Sequence, residues 1–499
     1  MNQETRPRPA PPTGPTPRFR TIWRSWSVSN FRATGRSSSV RRNIRSIGRS
    51  SSVRRNFRAI GRSLSVRRNF RATGRSWSVR RNLRSIGRSL SVRNFRLFFV
   101  GQLVSVIGTW MMLVTQDWLV LSLSGDSATV LGLVTALQFA PMLFLSLYGG
   151  RLADRHDKRV ILLAANLVSA ALSLILAPLV FTGAVRVWHV CVLAFCLGLV
   201  NAIETPARMS FVHEMVGGDL LPNASALSAA YFNLARVFGP ALGGLAITWL
   251  GIGPVSLLNA ASYLATVAAL LLMRPGELLR RAGPARDGRT VDALRYVAAR
   301  PDLLLPLAAV ALVGVFGLNF QLTLPLLAKT VFHADAGSFG LFTSAVAVGS
   351  LLGALIGTGR VGRPSETLVA GAALAFGAAE ALAGLAPGQG TALVLLAVTG
   401  LTALYFTQAV NHRVQLGSDP GHRGRILALY TLLVQGSTPF GALLTGWVAA
   451  HQGARAALVY GGLISSAVGL AALALRAPRT ARISREGRAD GEADAIGRI

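Results

Sequence analysis

The sequence is poor in charged residues and in cysteine, and each shortage narrows the class of protein. Only 14% of the 499 residues are charged, 51% are hydrophobic, and the mean hydropathy is +0.46. Soluble domains carry about 25% charged residues. The two cysteines, Cys191 and Cys196, lie in one apolar run, which excludes a disulfide framework and favours buried thiols. The composition therefore indicates a membrane protein.

Motifs of enzymatic chemistry are missing too. The chain has no nucleophile elbow, no nucleotide-binding P-loop and no histidines at metal-ligand spacing. These gaps argue against hydrolases, nucleotide-driven pumps and zinc enzymes. We therefore expect no enzymatic activity, no cofactor and no metal.

Positive charge is concentrated at the start of the chain. The formal net charge is +32, and residues 1–99 hold 25 Arg with one acid, whereas the remaining 400 residues hold 27 basic and 19 acidic residues. Thirteen-residue repeats such as RRNFRAIGRSLSV occupy 41–53, 54–66, 67–79 and 80–92. Thirteen residues turn a helix by about 1300°, which rotates the apolar face of the next unit by about 220°.

An odd repeat also alternates the faces of a strand, so neither regular structure keeps one apolar stripe. The sequence therefore predicts a disordered Arg/Ser-rich tract over 1–92. Three interpretations stay open for it. The first is a DNA-level expansion or an over-long gene start, with no transport role. The second is binding to the anionic inner leaflet. The third and least favoured is binding to nucleic acid.

Twelve apolar stretches follow the tract, each near the ~20 residues that a helix needs to cross a membrane. Their predicted limits are 97–123, 128–149, 160–182, 187–205, 224–250, 253–273, 303–327, 337–358, 367–386, 391–410, 426–450 and 456–476. If the N-terminus is cytoplasmic, the inner loops and tail hold 23 of the 27 basic residues after residue 99. This bias predicts that both termini are cytoplasmic.

The spans divide into two sets of six around an Arg-rich linker at 274–302. GLVTA at 132–136 and GLFTS at 340–344 are 208 residues apart, and spans 5 and 11 both carry a proline. These correspondences favour an all-α integral membrane protein built from two parallel six-helix halves. The predicted divisions are an N-terminal half over 93–273, a C-terminal half over 303–476 and a cytoplasmic tail over 477–499.

Two motifs stand out within the first half. The loop between spans 2 and 3 reads GGRLADRHDKRV (149–160) and places Asp154 among four basic residues. It is interpreted either as a charge cluster that holds helix ends together or as a topology anchor. Span 5 contains FNLARVFGPALGG (232–244), in which proline removes a helical hydrogen bond and small residues permit close helix packing.

These residues carry a family resemblance. The loop is similar to the signature loop of the major facilitator superfamily, except that Asp157 stands where that family usually has glycine. The span 5 segment resembles the superfamily's antiporter motif, matched here by Gly239, Pro240, Gly243 and Gly244. With NAIETPARMSFV (201–212) and HRGRILALYTLLVQGSTPFG (422–441), the chain resembles the drug–proton antiporter branch that includes macrolide-efflux proteins and the enterobactin exporter. The resemblance implies the major facilitator fold and a gating role for Asp154.

Charges at membrane depth are rare and usually functional. Asp117 in span 1, Arg236 in span 5 and Glu380 in span 9 are therefore candidates for proton coupling, with Arg236 expected near Asp117. A permanent structural ion pair is the alternative. Glu204 precedes Arg208 by four residues, which predicts a local ion pair.

Two further groups complete the candidate site. Polar side chains of spans 5, 7 and 10 are expected to line a substrate cavity: Asn233, Asn319, Gln321, Tyr405 and Gln408. An inner gate is expected from glycine and charged residues at the cytoplasmic ends of helices: Gly150, Asp154, Arg155, Arg159, Glu204, Arg208, Arg423 and Arg425.

Together these features predict a monomeric, proton-coupled exporter of drug-like or secondary-metabolite molecules in the plasma membrane. Its expected partners are a small-molecule substrate, protons and the lipid bilayer. A dedicated siderophore exporter or an uptake transporter is the alternative within transport. The alternative of another class is a membrane-tethered protein that binds anionic lipid or nucleic acid through the arginine-rich tract.

Overall fold

The computed structural model describes residues 87–279, 290–360, 362–419 and 422–475, and regular structure within them is helical throughout. The helices are α1 (Arg93–Leu123), α2 (Ala128–Arg155), α3 (Lys158–Phe181), α4 (Val187–Leu250), α5 (Ile252–Leu271), α6 (Thr290–Ala298), α7 (Pro301–Phe316), α8 (Phe320–Leu326), α9 (Ala336–Thr358), α10 (Glu366–Gly384), α11 (Gln389–Gly417), α12 (Arg423–Gln452) and α13 (Ala454–Ala474). Short 3-10 turns lie at Ser89–Ser91 and Pro275–Glu277, and a π-helical turn, Leu327–Val331, extends α8.

Helix α4 contains two membrane spans. A straight helix of its 64 residues measures about 96 Å, roughly three membrane thicknesses. The chain turns instead at Gly217, whose φ of 70° is readily adopted only by glycine. Arg208 hydrogen-bonds Tyr231 from the other arm, so the arms 187–216 and 218–250 fold back on each other.

This fold-back accounts for the number of spans. Eleven helical segments of the described residues are long and apolar enough to cross a membrane, and α4 counts as two spans. The structure therefore agrees with the twelve predicted spans. We number them 1 to 12 along the chain, so that α4 holds spans 4 and 5, and α7, α8 and the π turn form span 7.

Short polar caps and glycines set the ends of the helices. The Asp157 carboxylate accepts a hydrogen bond from the backbone N–H of Arg159, and Asp335 accepts one from Ser338, both at 2.9 Å. Such caps satisfy N–H groups that the first helical turn leaves without partners. Gly251 and Gly453, with φ of 87° and 89°, make the tight turns before α5 and α13.

The two halves, α1–α5 and α7–α13, pack against each other in matching ways. Gly132 of span 2 packs so closely that a β-carbon added to it would lie only 2.6 Å from the carbonyl oxygen of Ala442 in span 11. Gly340 of span 8, which is 208 residues further along, packs in the same close manner against the carbonyl of Pro240 in span 5. The sequence repeat therefore corresponds to equivalent helix crossings between the halves.

We call the side of the molecule that carries the segment between α5 and α7 the linker face, and the other side the opposite face. Near the linker face, a set of buried residues of the first half that includes Phe95 and Leu278 forms one apolar cluster. A set of buried residues of the second half that includes Val297 and Leu429 forms another. Toward the opposite face, the clusters combine both halves, as where Leu119 and Leu131 join Leu322 and Leu326. The halves thus share a core at the opposite face and keep separate cores near the linker face.

The predicted domain boundaries fall partly outside the described residues. Of the tract 1–92, the structure describes 87–92, where Ser89 is buried and donates a 2.6 Å hydrogen bond to Asn223. The tail 477–499 lies outside the described residues, as do 280–289 of the linker. The rest of the linker includes α6, which inserts Val297 into the core of the second half. The predicted boundaries and the disorder of the tract stay predictions.

Candidate functional site

Asp117 lies where the two halves meet. Its side chain is 1% exposed, and the polar side chain that interacts with its carboxyl is Gln321 of α8, in the second half. Neither Oδ2 of Asp117 nor Nε2 of Gln321 has a hydrogen bond of ordinary geometry within the described residues. Burial of an ionised carboxylate without a partner costs several kcal/mol. The position therefore favours the neutral acid in this conformation.

The expected pairing of Arg236 with Asp117 is absent from this structure. The Arg236 guanidinium instead donates a 3.3 Å hydrogen bond to Ser350 of α9, in the other half. Arg236 and Asp117 lie at different heights along their helices. The contact between Gly239 of span 5 and Trp110 of span 1 fixes the relative height of these two spans. Asp117 lies seven residues beyond Trp110, about 10 Å further along span 1, whereas Arg236 lies three residues before Gly239.

Glu380 of α10 is 2% exposed, and its carboxyl lies beside Gly317 and Gly461 of its own half. Its Oε2 has no hydrogen-bond partner in the described part of the chain. The three residues predicted for proton coupling therefore occupy three different places. Their coupling roles stay predictions.

The predicted cavity residues also separate by environment. Asn319 Oδ1, Gln321 Nε2 and Gln408 Oε1 are buried atoms without hydrogen-bond partners among the described residues. By contrast, Asn233 of α4 donates to the carbonyl of its own helix at Ala229, 2.8 Å away. Tyr405 lies under the guanidinium of Arg360, 4.7 Å from ring centroid to Cζ.

The glycine–proline motif of span 5 lies at two close helix crossings. A β-carbon added to Gly239 would lie 2.5 Å from Cβ of Trp110, and one added to Gly243 would lie 2.8 Å from Cα of Met111. Both glycines therefore face span 1. Gly244 faces the backbone of Ala336 in span 8 of the other half. The motif therefore permits span 5 to pack tightly on spans 1 and 8.

At the linker face, the expected cluster around Asp154 is not assembled. Asp154 and Arg155 are exposed, and a β-carbon on Gly150 has no neighbour within 4 Å in the described residues. Gly149, and not Gly150, makes the close helix approach, against the backbone of Ala202. The basic residues that follow have other partners.

Those partners follow from the way α3 begins. Asp157 caps the start of this helix, and the side chains of Lys158 and Arg159, the next two residues, reach the ends of neighbouring helices. Lys158 forms a buried 2.6 Å ion pair with Glu214, and Arg159 donates to the carbonyl of Leu270 at 2.8 Å. The charges of this loop therefore tie the first half together internally.

The second half has its own network at the same face. Asp302 accepts hydrogen bonds from Arg363 at 2.8 Å and Arg300 at 3.1 Å, and Arg413 is paired with Glu366. Hydrogen bonding to Asp302 raises the pKa of Arg300, so this cation stays charged at physiological pH.

The remaining predicted gate residues complete the linker face. Arg423 is exposed and Arg425 half-buried. The predicted ion pair of Glu204 and Arg208 is present at 3.1 Å, within the first half. Each linker-face ion pair described here joins residues of the same half.

The opposite face holds an ion pair that does join the halves. Lys329, in the π turn of span 7, contacts Asp126 of the first half at 2.7 Å and donates to Ser122 at 3.1 Å. Its ammonium also lies 5.1 Å from the ring centroid of Trp118, which stacks on Phe339 of the second half. We call Lys329, Asp126, Ser122 and Trp118 the opposite-face latch.

Sequence reasoning did not single out Lys329, which lies beyond the predicted end of span 7 at residue 327, and it missed the partner of this residue. Asp126 and Lys329 are 203 residues apart, so no local spacing reveals the pair. Likewise, Glu214 was missed as the partner of Lys158, although both belong to the first half. The network of the second half did leave a signal in the sequence. Arg363 lies 208 residues after Arg155, the same shift that relates GLVTA to GLFTS, and this correspondence indicates a linker-face position for Arg363.

Comparison with known proteins agrees with this geometry. Residues 88–494 match the family described as transmembrane secretion effector. The chain is 26% identical over 393 residues to the multidrug efflux pump Tap of Mycobacterium tuberculosis, covering 76% of this chain and 92% of that protein. It is 23% identical over 367 residues to macrolide efflux protein A of Streptococcus pyogenes, covering 72% and 90%. It is 25% identical over 274 residues to the staphyloferrin A transporter of Staphylococcus aureus, covering 52% and 66%.

Solved structures share the fold at lower identity. The nucleoside transporter NupG superposes with a TM-score of 0.62 at 12% identity, covering 76% of this chain and 98% of that one. A bacterial homolog to the human lysosomal transporter Spinster gives 0.60 at 14%, covering 76% and 96%. The match over 88–494 and the two helical halves lead to one conclusion: the chain belongs to the transmembrane secretion effector family of the major facilitator superfamily, and it is a multi-pass membrane transporter rather than an enzyme.

Proposed function

We propose that this chain exports drug-like or secondary-metabolite molecules across the plasma membrane, driven by protons and by alternating access between its halves. The names of two similar proteins, a multidrug efflux pump and a macrolide efflux protein, support export of such compounds. The staphyloferrin A transporter supports a second candidate, the export of one dedicated siderophore. The comparisons give no support to lipid or nucleic-acid binding by the arginine-rich tract.

The observation that carries the proposal is the burial of Asp117 where the halves meet, beside Gln321 of the second half. When the halves close over this carboxyl, the neutral acid avoids the several kcal/mol that a buried, unpaired carboxylate costs. When a rearrangement of the halves exposes the carboxyl to water, ionisation is no longer penalised and the proton is exchanged. Asp117 is therefore the proton carrier in this proposal.

The distribution of contacts between the halves supports alternating access. Their shared core and the latch lie toward the opposite face, whereas each half has its own core and ion pairs near the linker face. In this arrangement the central site is reached from the linker face. Breaking the latch and bringing the linker-face ends together gives the alternative state.

Substrate recognition is assigned to the amides of Asn319, Gln321 and Gln408. Each has a buried polar atom without a partner among the described residues, and such an atom gains a hydrogen bond when a substrate arrives. The residues that flank Asn319, Leu318 and Phe320, are apolar. This combination suits a bulky amphipathic molecule.

The positive-inside rule provides the orientation. The linker face carries most of the arginines after residue 99, which assigns it to the cytoplasm together with both termini. The linker-face opening then corresponds to uptake of substrate from the cytoplasm. The transporter is proposed to act as a monomer.

Transport by proteoliposomes with an imposed pH gradient tests the proposal. The substrate is a panel containing ethidium and erythromycin, and the variants are Asp117→Asn and a matched exposed control, Asp219→Asn. We expect the wild type and the control to concentrate at least one member of the panel, and a proton uncoupler to abolish this. Asp117→Asn is expected to lose uphill transport more than tenfold while still binding substrate. Uphill transport by Asp117→Asn at the wild-type rate contradicts the assignment.

A further inference from the structure

Span 7 is interrupted between α7, which ends at Phe316, and α8, which starts at Phe320. The N–H groups of Gly317 and Leu318 both bond to the carbonyl of Val313, at 2.8 and 3.1 Å. Carbonyl groups at such a helix end lack the partners that a continuing helix would supply. The carbonyl of Val315 accepts from the side chain of Asn319 at 2.7 Å, so backbone acceptors at the break are available to side-chain donors.

Two buried polar side chains face this interruption. Ser465 Oγ of α13 lies 2.5 Å, and Glu380 Oε2 of α10 lies 2.9 Å, from the position that a β-carbon on Gly317 would take. Ser465 is 0% exposed and Glu380 is 2% exposed. Neither of these oxygen atoms has a hydrogen-bond partner within the described residues. The hydroxyl and the carboxyl therefore border the same small space at the break.

The second carboxyl oxygen lies in the neighbourhood of a backbone acceptor. Oε1 of Glu380 lies 3.2 Å, and the carbonyl oxygen of Phe316 lies 2.5 Å, from the β-carbon position of Gly461. An ionised carboxylate close to a carbonyl oxygen is repelled. A neutral acid has one O–H that can donate to the Phe316 carbonyl, and its other oxygen can accept from the Ser465 hydroxyl. The surroundings therefore offer one acceptor for the O–H and one donor for the C=O of a protonated carboxyl group.

No cation in the vicinity neutralises Glu380 among the described residues. Arg455 of α13 is the charged residue at this end of the helix pair, and it donates to the carbonyls of Gly384 and Ala386, at 3.2 and 2.8 Å. The ring of Phe376 closes another side, 2.8 Å from the Gly317 β-carbon position. Because even a methyl group is crowded here, a metal cation with its ligand shell does not fit, and a proton does.

We propose that Glu380 is a second proton-binding site, which exchanges its proton with water as the break in span 7 opens and closes. In the protonated state, a small movement of the side chains lets Glu380 hydrogen-bond to Ser465 and to the Phe316 carbonyl. Gln321, which faces Asp117, lies four residues beyond Gly317 on the same span. Protonation of Glu380 stabilises the bend and so holds Gln321 against Asp117. The inference rests on the proposed proton-driven transport and adds a second proton for each cycle.

Infrared difference spectroscopy of the full-length protein in liposomes, between acidic and alkaline pH, tests this site directly. The wild type is expected to show two carboxylic acid C=O bands that disappear as the pH rises. Glu380→Gln is expected to lose one band, and Asp117→Asn the other. Glu277→Gln, the same substitution at an exposed linker residue, keeps both. Ser465→Ala removes a hydrogen-bond donor, and the Glu380 band moves to higher frequency without loss of the folded protein.

Two results overturn the site: a Glu380→Gln spectrum identical to that of the wild type, or a Glu380 band that persists at alkaline pH. An unshifted band in Ser465→Ala overturns the assignment of the hydroxyl partner. None of these readings depends on a substrate. They are therefore distinct from a failure of the proposed export, which appears as a lack of uphill transport while the bands still titrate.

Discussion

The opposite-face latch is expected to set how often the transporter opens to the opposite face. Lys329 is the one residue of the latch that contacts all of the others, Asp126, Ser122 and Trp118. Replacing it with glutamine removes the charge and keeps much of the side-chain length. We expect Lys329→Gln to shift the population toward the state that is open at the opposite face.

The magnitude follows from the contacts. The Asp126 side chain is 42% exposed and that of Lys329 20%, so solvent screening reduces their ion pair to about 0.5 kcal/mol. The cation–π contact with Trp118 adds about 0.5–1 kcal/mol. Together they favour the closed latch by about 1–1.5 kcal/mol, which corresponds to a change of roughly tenfold in the ratio of the two states.

Distances between spin labels measure this ratio. Both native cysteines are first replaced by serine, and labels are attached at Thr182→Cys in the first half and Gln389→Cys in the second, two exposed sites at the opposite face. In the wild type, the short distance should dominate. In Lys329→Gln, the population at the long distance should rise about tenfold relative to the short one.

Two comparisons separate the latch from a general charge effect. Asp126 has a φ of 63°, a conformation that asparagine tolerates, so Asp126→Asn removes the ion pair alone and should shift the ratio only about twofold. Arg186→Gln removes another exposed cation of this face and should change nothing. If Lys329→Gln gives the wild-type distance distribution, the latch does not control opening.

Two further predictions concern the stability of the first half. Gly243→Ala brings a methyl group to 2.8 Å from Cα of Met111; the backbone has to shift, and we expect a cost of about 1–3 kcal/mol, seen as a lower melting temperature in detergent. Glu214→Gln leaves Lys158 charged and buried, which costs about 3 kcal/mol, whereas the exposed control Glu277→Gln should have no measurable effect. A double replacement of Lys158 and Glu214 by Met and Leu should recover most of the loss; a melting temperature as low as that of Glu214→Gln alone refutes the assignment to an unpaired buried charge.

Some of the site was readable from the sequence because the membrane imposes simple rules. Spans are long and apolar, so their number and approximate limits follow from hydropathy. Glu204 and Arg208 are four residues apart, and one helical turn brings them together. Gly239 and Gly243 share a helix face, so their role in close packing was predictable, although the partner helix was not.

Other parts of the site depend on contacts that no local spacing encodes. Arg236 was expected beside Asp117 because both are charged and lie in the membrane, but the heights of spans 1 and 5 bring it to Ser350 instead. The predicted cluster around Asp154 did not form because Lys158 found Glu214 at the end of another helix. The interruption at Gly317 was missed because residues 303–327 read as one continuous apolar stretch.

The sequence by itself determined the class of the molecule: helices of membrane length, a chain divided into two related sets of six, and arginines gathered on one side. These features are set by the cost of placing backbone and charge in hydrocarbon, which acts on each segment separately. Only the tertiary structure decided which polar groups meet. Asp117 with Gln321, Lys329 with Asp126 and Glu380 with Ser465 come from helices far apart in the chain, and their proximity depends on how the helices are tilted, broken and placed at different heights against one another.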